Sequence, residues 1–167
     1  MVAASLDAAQ VWRVLARIPD PEIPVITITE LGIVRDVRLE SGVVEVSITP
    51  TYSGCPAMDM IERDVLARLR EAGCCEVRVR TVLAPAWTTD WIAEDAKARL
   101  REYGIAPPAR RTPGVDAQRI HLHARAVPCP NCASARTERI SEFGSTACKA
   151  HYRCLECLEP FDYFKPL

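Results

Sequence analysis

Three observations predict an α+β chain. Residues 1–104 alternate helical and strand periodicity in the order α-β-β-α-β-α. Residues 127–167 hold two Cys-x-x-Cys pairs at a spacing that suits a hairpin, and residues 105–126 between them show little apolar periodicity. The expected architecture is a small three-stranded sheet with helices packed on it over 1–104, a Pro/Arg-containing linker over 105–126, and a metal-stapled β ribbon over 127–167.

The first helix is expected to start at Ser5 as cap. Val11, Val14, Leu15 and Ile18 recur at helical spacing until Pro19 and Pro21 stop it. A Pro-rich loop, Asp20-Pro21-Glu22-Ile23-Pro24, leads through Glu30-Leu31-Gly32 into two β-rich runs. These are Val34, Val37, Leu39 and Val44, Val46, Ile48, separated by the tight-turn pair Ser41-Gly42. The second run empties into Thr49-Pro50-Thr51-Tyr52-Ser53-Gly54-Cys55-Pro56. A second amphipathic helix then places Met58, Ile61, Val65, Leu66 and Leu69 on one face and ends at Gly73, a left-handed cap. With Pro56 in the first turn, Cys55 falls at that helix's N-terminus. A third strand spans Glu76 to Leu83. A third helix begins near Thr88 or Thr89, carries Trp91, Ile92, Ala96 and Leu100, and closes at Gly104.

The ribbon carries the strongest chemical signal. Cys129-Pro130-Asn131-Cys132 is followed, after 21 residues, by Cys154-Leu155-Glu156-Cys157. A two-residue gap turns both thiolates of a pair toward one ion, and two such knuckles complete a tetrahedral sulfur shell. Arg139 to Phe143 and Lys149 to Arg153 read as strands around Gly144-Ser145, with Phe161, Tyr163 and Phe164 on a third. So short a module cannot offset its chain entropy without a staple. Four thiolates accept zinc or iron; structural zinc is the better assignment because the shell leaves no open position. Cys148 reads as a small packed residue, or else as a fifth thiol near the ion, and His151 as structural. His121 and His123 find no third ligand.

Composition excludes several classes. The chain has 167 residues, a net charge of -1 and eight cysteines. No apolar run approaches the ~18 residues that cross a bilayer, and the start lacks a secretory pattern, so a cytoplasmic location without membrane attachment is expected. There clustered cysteines signal metal or catalysis rather than disulfides. With 6% aromatics and no basic stripe, nucleic acid is not an expected partner. No Gly-rich phosphate loop and no Glu-x-x-His pattern supports a catalytic component.

Cys55 is the second signal. At a helix N-terminus the free amides and macrodipole favour the thiolate, the form that attacks electrophiles and binds metals. Gly54 lets the backbone approach a ligand closely, and Thr49, Thr51, Tyr52 and Ser53 place hydroxyls around it. A buried cysteine that only caps the helix fits the same pattern. Asp20 and Glu22 join the site if the Pro-rich loop folds over that helix end. Cys74 and Cys75 straddle a helix-to-strand turn and read as structural, one facing in and the other out, and Trp87 and Trp91 read as core or interface anchors.

These motifs together resemble known families. Asp20-Pro21-Glu22-Ile23-Pro24, Glu30-Leu31-Gly32-Ile33-Val34 and Thr49 to Pro56 are similar to the signature of the SufT-like, or metal-sulfur cluster biosynthesis, domain. Ser141 to Ala150, Tyr152-Arg153-Cys154 and Glu159 to Lys165 resemble the PaaD (also PaaJ) family, encoded with the phenylacetyl-CoA epoxidase. The resemblance implies an accessory protein of that multicomponent monooxygenase in aerobic phenylacetate catabolism. It implies a role in installing or maintaining an iron-sulfur cluster, with the iron-sulfur reductase component as partner. It also marks Asp20, Glu22, Thr51 and Cys55 as positions for iron or a transient cluster, one cysteine per subunit that a homodimer would double. The expected role is a non-catalytic maturation factor; the alternative is a structural subunit or adaptor of the epoxidase.

Overall fold

The computed structural model describes residues 6–108 and 126–166. Its contacts divide the chain into two compact units, Met1–Ala96 and Lys97–Leu167. That division lies ahead of Gly104, where the sequence pattern ends the first domain.

In the first unit, helix α1 spans Ala8–Leu15 and is capped by Asp7. The Asp7 carboxylate accepts from the Gln10 amide at 2.7 Å, while the Gln10 side-chain oxygen accepts from the Asp7 amide at 2.8 Å. This reciprocal box needs Gln10 at the third helical position, which selects Asp7 as cap. Ser5, the expected cap, lies outside the described residues.

Strands β1 (Val34–Glu40) and β2 (Val43–Ile48) pair antiparallel, and β3 (Glu76–Thr81) lies parallel to β2. The order β1-β2-β3 places the later strand at an edge. Ser41 at φ 51° and Gly42 at φ 82° both occupy the left-handed region, the requirement of a two-residue turn matched to strand twist. Helix α2 (Met58–Glu71) is the crossover between the parallel strands. Its Ile61, Val65 and Leu69 are buried, as are Val11 and Leu15 of α1 and Val44, Val46 and Ile48 of β2. Gly73 ends α2 at φ 102°, with its own amide on the Arg70 carbonyl and the Cys74 amide on that of Leu69.

The third helix is broken. A 3₁₀ turn covers Thr89–Trp91, and helix α3 runs Glu94–Glu102, where the sequence pattern suggests one helix from Thr88 or Thr89. The Ala93 amide donates to the Glu30 carbonyl at 2.9 Å, so a tertiary bond takes the place of a helical one. The same segment clamps the Glu30-Leu31-Gly32 turn. Trp87 Nε1 donates to the Leu31 carbonyl at 3.0 Å, and the Arg35 guanidinium lies 3.4 Å from the centre of the Trp91 ring. Trp87 is therefore a core anchor, while Trp91 is half-buried beneath Arg35. Gly32 has φ 75°, and a Cβ there would lie 2.7 Å from Trp91 Cβ. Gly32→Ala is expected to cost about 1–2 kcal/mol for the left-handed conformation and a further 1–3 for overpacking. Thermal denaturation followed by tryptophan fluorescence checks this.

In the second unit, β4 (Ile105–Ala106), β5 (Thr137–Ser141), β6 (Lys149–Cys154) and β7 (Pro160–Phe164) form a sheet ordered β4-β7-β6-β5. Strand β4 differs from the sequence reading, which opens the linker at Ile105. Ile105 and Ala106 pair parallel with Asp162 and Tyr163, a partner more than fifty residues away that no local pattern announces. The hairpin between β5 and β6 is also longer than Gly144-Ser145, because β5 ends at Ser141. The Gly144 amide donates to the Lys149 carbonyl at 2.8 Å, and a Cβ on Gly144 would sit 2.7 Å from Asp162 Oδ1. Ala106, Val127, Cys129, Ala150, Tyr152, Cys154 and Phe161 form the core of this unit. Tyr152 stacks on Phe161 at 5.7 Å and meets the edge of Tyr163 at 5.6 Å. Among the described residues no helix is long and apolar enough to cross a membrane.

Candidate functional site

The ribbon sulfurs converge. The Sγ atoms of Cys129, Cys132, Cys154 and Cys157 all lie within 4.8 Å of one another. Cys129 Sγ is 3.7 Å from that of Cys157, and Cys132 Sγ is 3.5 Å from that of Cys154. A tetrahedral ion with metal–sulfur bonds of about 2.3 Å has sulfur–sulfur edges of about 3.8 Å, so the donor set fits such an ion in chemistry and size.

Each knuckle is built the same way. The amide of the first cysteine donates to a carbonyl five residues on, Cys129 to Ser134 at 2.9 Å and Cys154 to Glu159 at 3.0 Å. The residue after the second cysteine is left-handed in both, Ala133 at φ 60° and Leu158 at φ 64°. Within the second knuckle a backbone amide turns onto sulfur: that of Glu156 reaches Cys154 Sγ at 3.4 Å. A glycine usually marks a left-handed position, so residues other than glycine left no sequence signal here. Arg136 and Glu156 form an ion pair between the knuckles, and the Leu155 amide donates to the Arg136 carbonyl at 2.8 Å.

The amides favour negative sulfur. The Cys157 amide, opposed by burial but joined by the Glu156 amide and neighbouring thiols, draws Cys154 down to about 6. The Glu159 amide also draws on Cys157, but burial and the thiols of Cys154, Cys132 and Cys129 outweigh it and push that thiol to about 12. Sulfurs this close cannot all ionise without a cation between them, so ion binding displaces protons.

Cys55 is half-buried and lies three residues ahead of the first helical residue, Met58. Pro56 is accordingly outside the helix, whose cap is Ala57. The Cys55 amide donates to the Tyr52 carbonyl at 3.2 Å and its carbonyl accepts from Met58 at 3.3 Å, which makes a separate turn. Gly54 sits at φ 86°, the left-handed conformation this turn requires, with open space around a built Cβ.

Three residues named from the sequence, Asp20, Glu22 and Thr51, act on the Cys55 thiol. Burial pushes the Cys55 thiol up; the Ala57 amide and Thr51 hydroxyl draw it down, and the carboxylates of Glu22 and Asp20 push it up again. The net direction is upward, opposite to the expectation from a helix N-terminus, because burial and two carboxylates oppose ionisation more than one amide and one hydroxyl favour it. Asp20 is buried, and its Oδ1 accepts from the Glu22 amide at 2.9 Å and the Ile23 amide at 2.8 Å. It thereby shapes the loop that carries Glu22. Among the described residues the ribbon sulfurs are the only group of three or more potential metal ligands brought together, so Cys55, Asp20 and Glu22 do not form a closed chelate. Glu22→Gln is expected to bring the thiol down and speed alkylation of Cys55 at pH 8, measured by iodoacetamide labelling and peptide mass spectrometry.

Cys74 and Cys148 resolve into packing. Cys74 is buried and Cys75 exposed, as expected of a turn. Cys148 is buried, its Sγ 3.0 Å from Thr146 Oγ1, and does not join the four-sulfur group. His151 Nδ1 contacts Asp162 Oδ1 at 3.1 Å. The same carboxylate accepts from Ser145 Oγ at 2.8 Å and lies 3.8 Å from Nζ of Lys149, which is 3% exposed. Sequence reasoning missed this buried lysine, since a lysine on an alternating strand reads as solvent-facing. His121, His123 and most of the linker lie outside the described residues.

A three-stranded sheet with a half-buried cysteine in the turn before α2, followed by a ribbon whose four converging thiols could hold a metal ion, defines a two-part class of protein. Residues 8–82 match the iron-sulfur cluster assembly protein family, and residues 114–165 match the PaaD zinc β-ribbon domain. The chain is 52% identical over 157 residues to a protein of Escherichia coli (strain K12) provisionally named as a component of 1,2-phenylacetyl-CoA epoxidase, covering 93% of this chain and 91% of that one. It belongs to the PaaD family. Among solved structures, a domain of unknown function, DUF59, from Bacillus anthracis is 28% identical, with a TM-score of 0.51, over 55% of this chain and 89% of that one. A conserved hypothetical protein from Thermotoga maritima shares the fold at 24% identity and a TM-score of 0.51, over 60% of this chain and 98% of that one.

Proposed function

We propose that this chain is an accessory component of a phenylacetyl-CoA epoxidase system in aerobic phenylacetate catabolism, and that it helps install or maintain the iron-sulfur cluster of the reductase component. The observation that carries this reading is a half-buried cysteine whose thiol responds to Asp20, Glu22 and Thr51, inside a domain that matches iron-sulfur assembly proteins in a chain so similar to a protein named as an epoxidase component.

Iron, or a cluster, is the cargo. Cys55 is the one cysteine in this site, so cargo held there is incompletely ligated by the chain and can leave. A second copy of the chain or the recipient would supply further ligands. The two carboxylates that oppose thiolate formation favour a bound cation, so cargo binding and loss of the thiol proton go together. The ribbon does the opposite work. Cys129, Cys132, Cys154 and Cys157 would hold zinc as a closed structural site with no open position for chemistry. The protein acts in the cytoplasm on its protein partners, needs no nucleic acid, and is not itself catalytic.

A second reading is a structural subunit or adaptor of the epoxidase. The raised Cys55 thiol, and the lack of a closed ligand set around it among the described residues, favour this alternative. The test is anaerobic purification of wild type and Cys55→Ala with metal and sulfide analysis. Labile iron lost only in the variant, with loss of cluster occupancy in the reductase in cells, supports the carrier. One tightly held zinc in both proteins, no labile iron in either and unchanged reductase occupancy would support the adaptor.

A further inference from the structure

Among the described residues four strands lie at sheet edges, and three of them carry features that discourage pairing with another chain. Strand β1 shifts register between Val34 and Asp36, β5 shifts between Arg139 and Ser141, and β4 is two residues long. Strand β3 differs. It runs Glu76–Thr81 in unbroken register with β2, holds no proline, and among the described residues no strand pairs with its other side. The Val82 amide donates to the Ile48 carbonyl at 2.8 Å, so the alternate residues Glu76, Arg78 and Arg80 turn their backbone groups toward β2. Val77, Val79 and Thr81 turn theirs outward, as a row of donors and acceptors that a further strand can use.

Side chains along this edge are ordered by charge. Val77 is buried on the face that carries Val44 and Val46, while Glu76, Arg78 and Arg80 are exposed on the opposite face beside Val43, Glu45 and Ser47. A row of one sign would repel its own copy. Here the acid opens the strand and the bases follow it, so a copy running the other way brings opposite charges together.

We infer that the β3 edge is a self-association surface, where β3 pairs antiparallel with β3 of a second copy and Glu76 of each chain faces an arginine of the other. With the twofold axis at Val77 that arginine is Arg78, and with the axis at Arg78 it is Arg80. Either register joins the outward-facing backbone groups and merges two three-stranded sheets into one of six strands. The Cys55 loop leaves the carboxyl end of β2, which β3 parallels, so the axis sends the two Cys55 loops to opposite ends of the joined sheet. A copy docked here adds no ligand at Cys55. The surface therefore stands independently of the carrier reading, and within that reading it leaves the cargo's remaining ligands to the recipient.

The experiment is sedimentation equilibrium of the full chain with zinc in the ribbon, over a range of concentrations. The wild type is expected to dimerise as concentration rises. Val79→Pro deletes an outward N–H and leaves the β2 ladder its bonds, so it should stay monomeric. Glu76→Arg sets like charges opposite each other at two symmetry-related places and should weaken the dimer about tenfold. The triple variant Glu76→Arg, Arg78→Glu, Arg80→Glu reverses every charge and should dimerise like the wild type. A cooperative tryptophan melt confirms that each variant is folded; should Val79→Pro unfold, the charge variants decide alone. A wild type that is monomeric at every concentration overturns the inference, as does a dimer that Glu76→Arg leaves unchanged or a defect that the triple variant fails to repair.

Discussion

Cys154→Ser, or exhaustive chelation of the wild-type chain, is expected to unfold the ribbon while the first unit keeps its fold. Cys154 is fully buried at the meeting of the sulfur shell and the aromatic core, so its loss removes a ligand and exposes the cluster around Tyr152 and Phe161. The ion is worth on the order of 10 kcal/mol in modules of this kind, more than the remaining core of so short a unit supplies. Two sets of chromophores separate the outcomes. Trp12, Trp87 and Trp91 all lie in the first unit, while Tyr152 and Tyr163 lie in the second. Near-ultraviolet tyrosine dichroism should collapse and tryptophan fluorescence should keep its cooperative melt. A ribbon that retains its tyrosine signal without metal would defeat the stapling argument. Acid should mimic chelation, because the thiols take up protons as the ion leaves.

Asp162→Ala is expected to cost about 3–5 kcal/mol, because it strands the buried Lys149 ammonium without its carboxylate. It also removes the acceptor for Ser145 and His151 and leaves the hairpin loop without its anchor on β7. The double variant Lys149→Met with Asp162→Ala should recover much of the loss, since a buried pair replaced by an apolar side chain is often neutral or better. Urea denaturation of the four members of this cycle gives the coupling. The pH dependence has a definite sign. Burial raises Asp162, but the Ser145 and His151 hydrogen bonds and the Lys149 and His151 charges outweigh it and hold the carboxyl below its ordinary value. A depressed carboxyl contributes its stability above the unfolded value of about 3.9 and loses it as pH falls through the folded one. The difference between wild type and Asp162→Asn should therefore be constant at neutral pH and shrink in acid below about pH 4.

Much of this molecule was legible from local chemistry. The element order, the Ser41-Gly42 turn and the Gly73 cap follow from residues within a few positions of one another, and the four ribbon ligands from two such pairs. Where expectation and structure part, a distant partner intervened. The third helix breaks at Ala93 because its amide answers Glu30, and Ile105 becomes a strand because β7 offers an edge. Cys55 is the instructive case. Its position before a helix suggested an ionised thiol, yet burial first, and then the carboxylates of the Pro-rich loop, turn that expectation around.

The amino-acid sequence by itself determined that the chain has two parts, that four cysteines of the second converge on an ion-sized space, and that it belongs with the PaaD family. Spacing along the chain suffices there, because a two-residue gap and a hairpin leave the thiols little choice of geometry. Only the tertiary structure decided which side chains act on Cys55, in which direction its thiol is pushed, and that Thr49 and Lys149 are buried. Burial and charge act through space on a scale of a few ångströms. The groups that set them here, Asp20 and Glu22 against Cys55 and Asp162 against Lys149, are distant in the chain and become neighbours only when the chain folds.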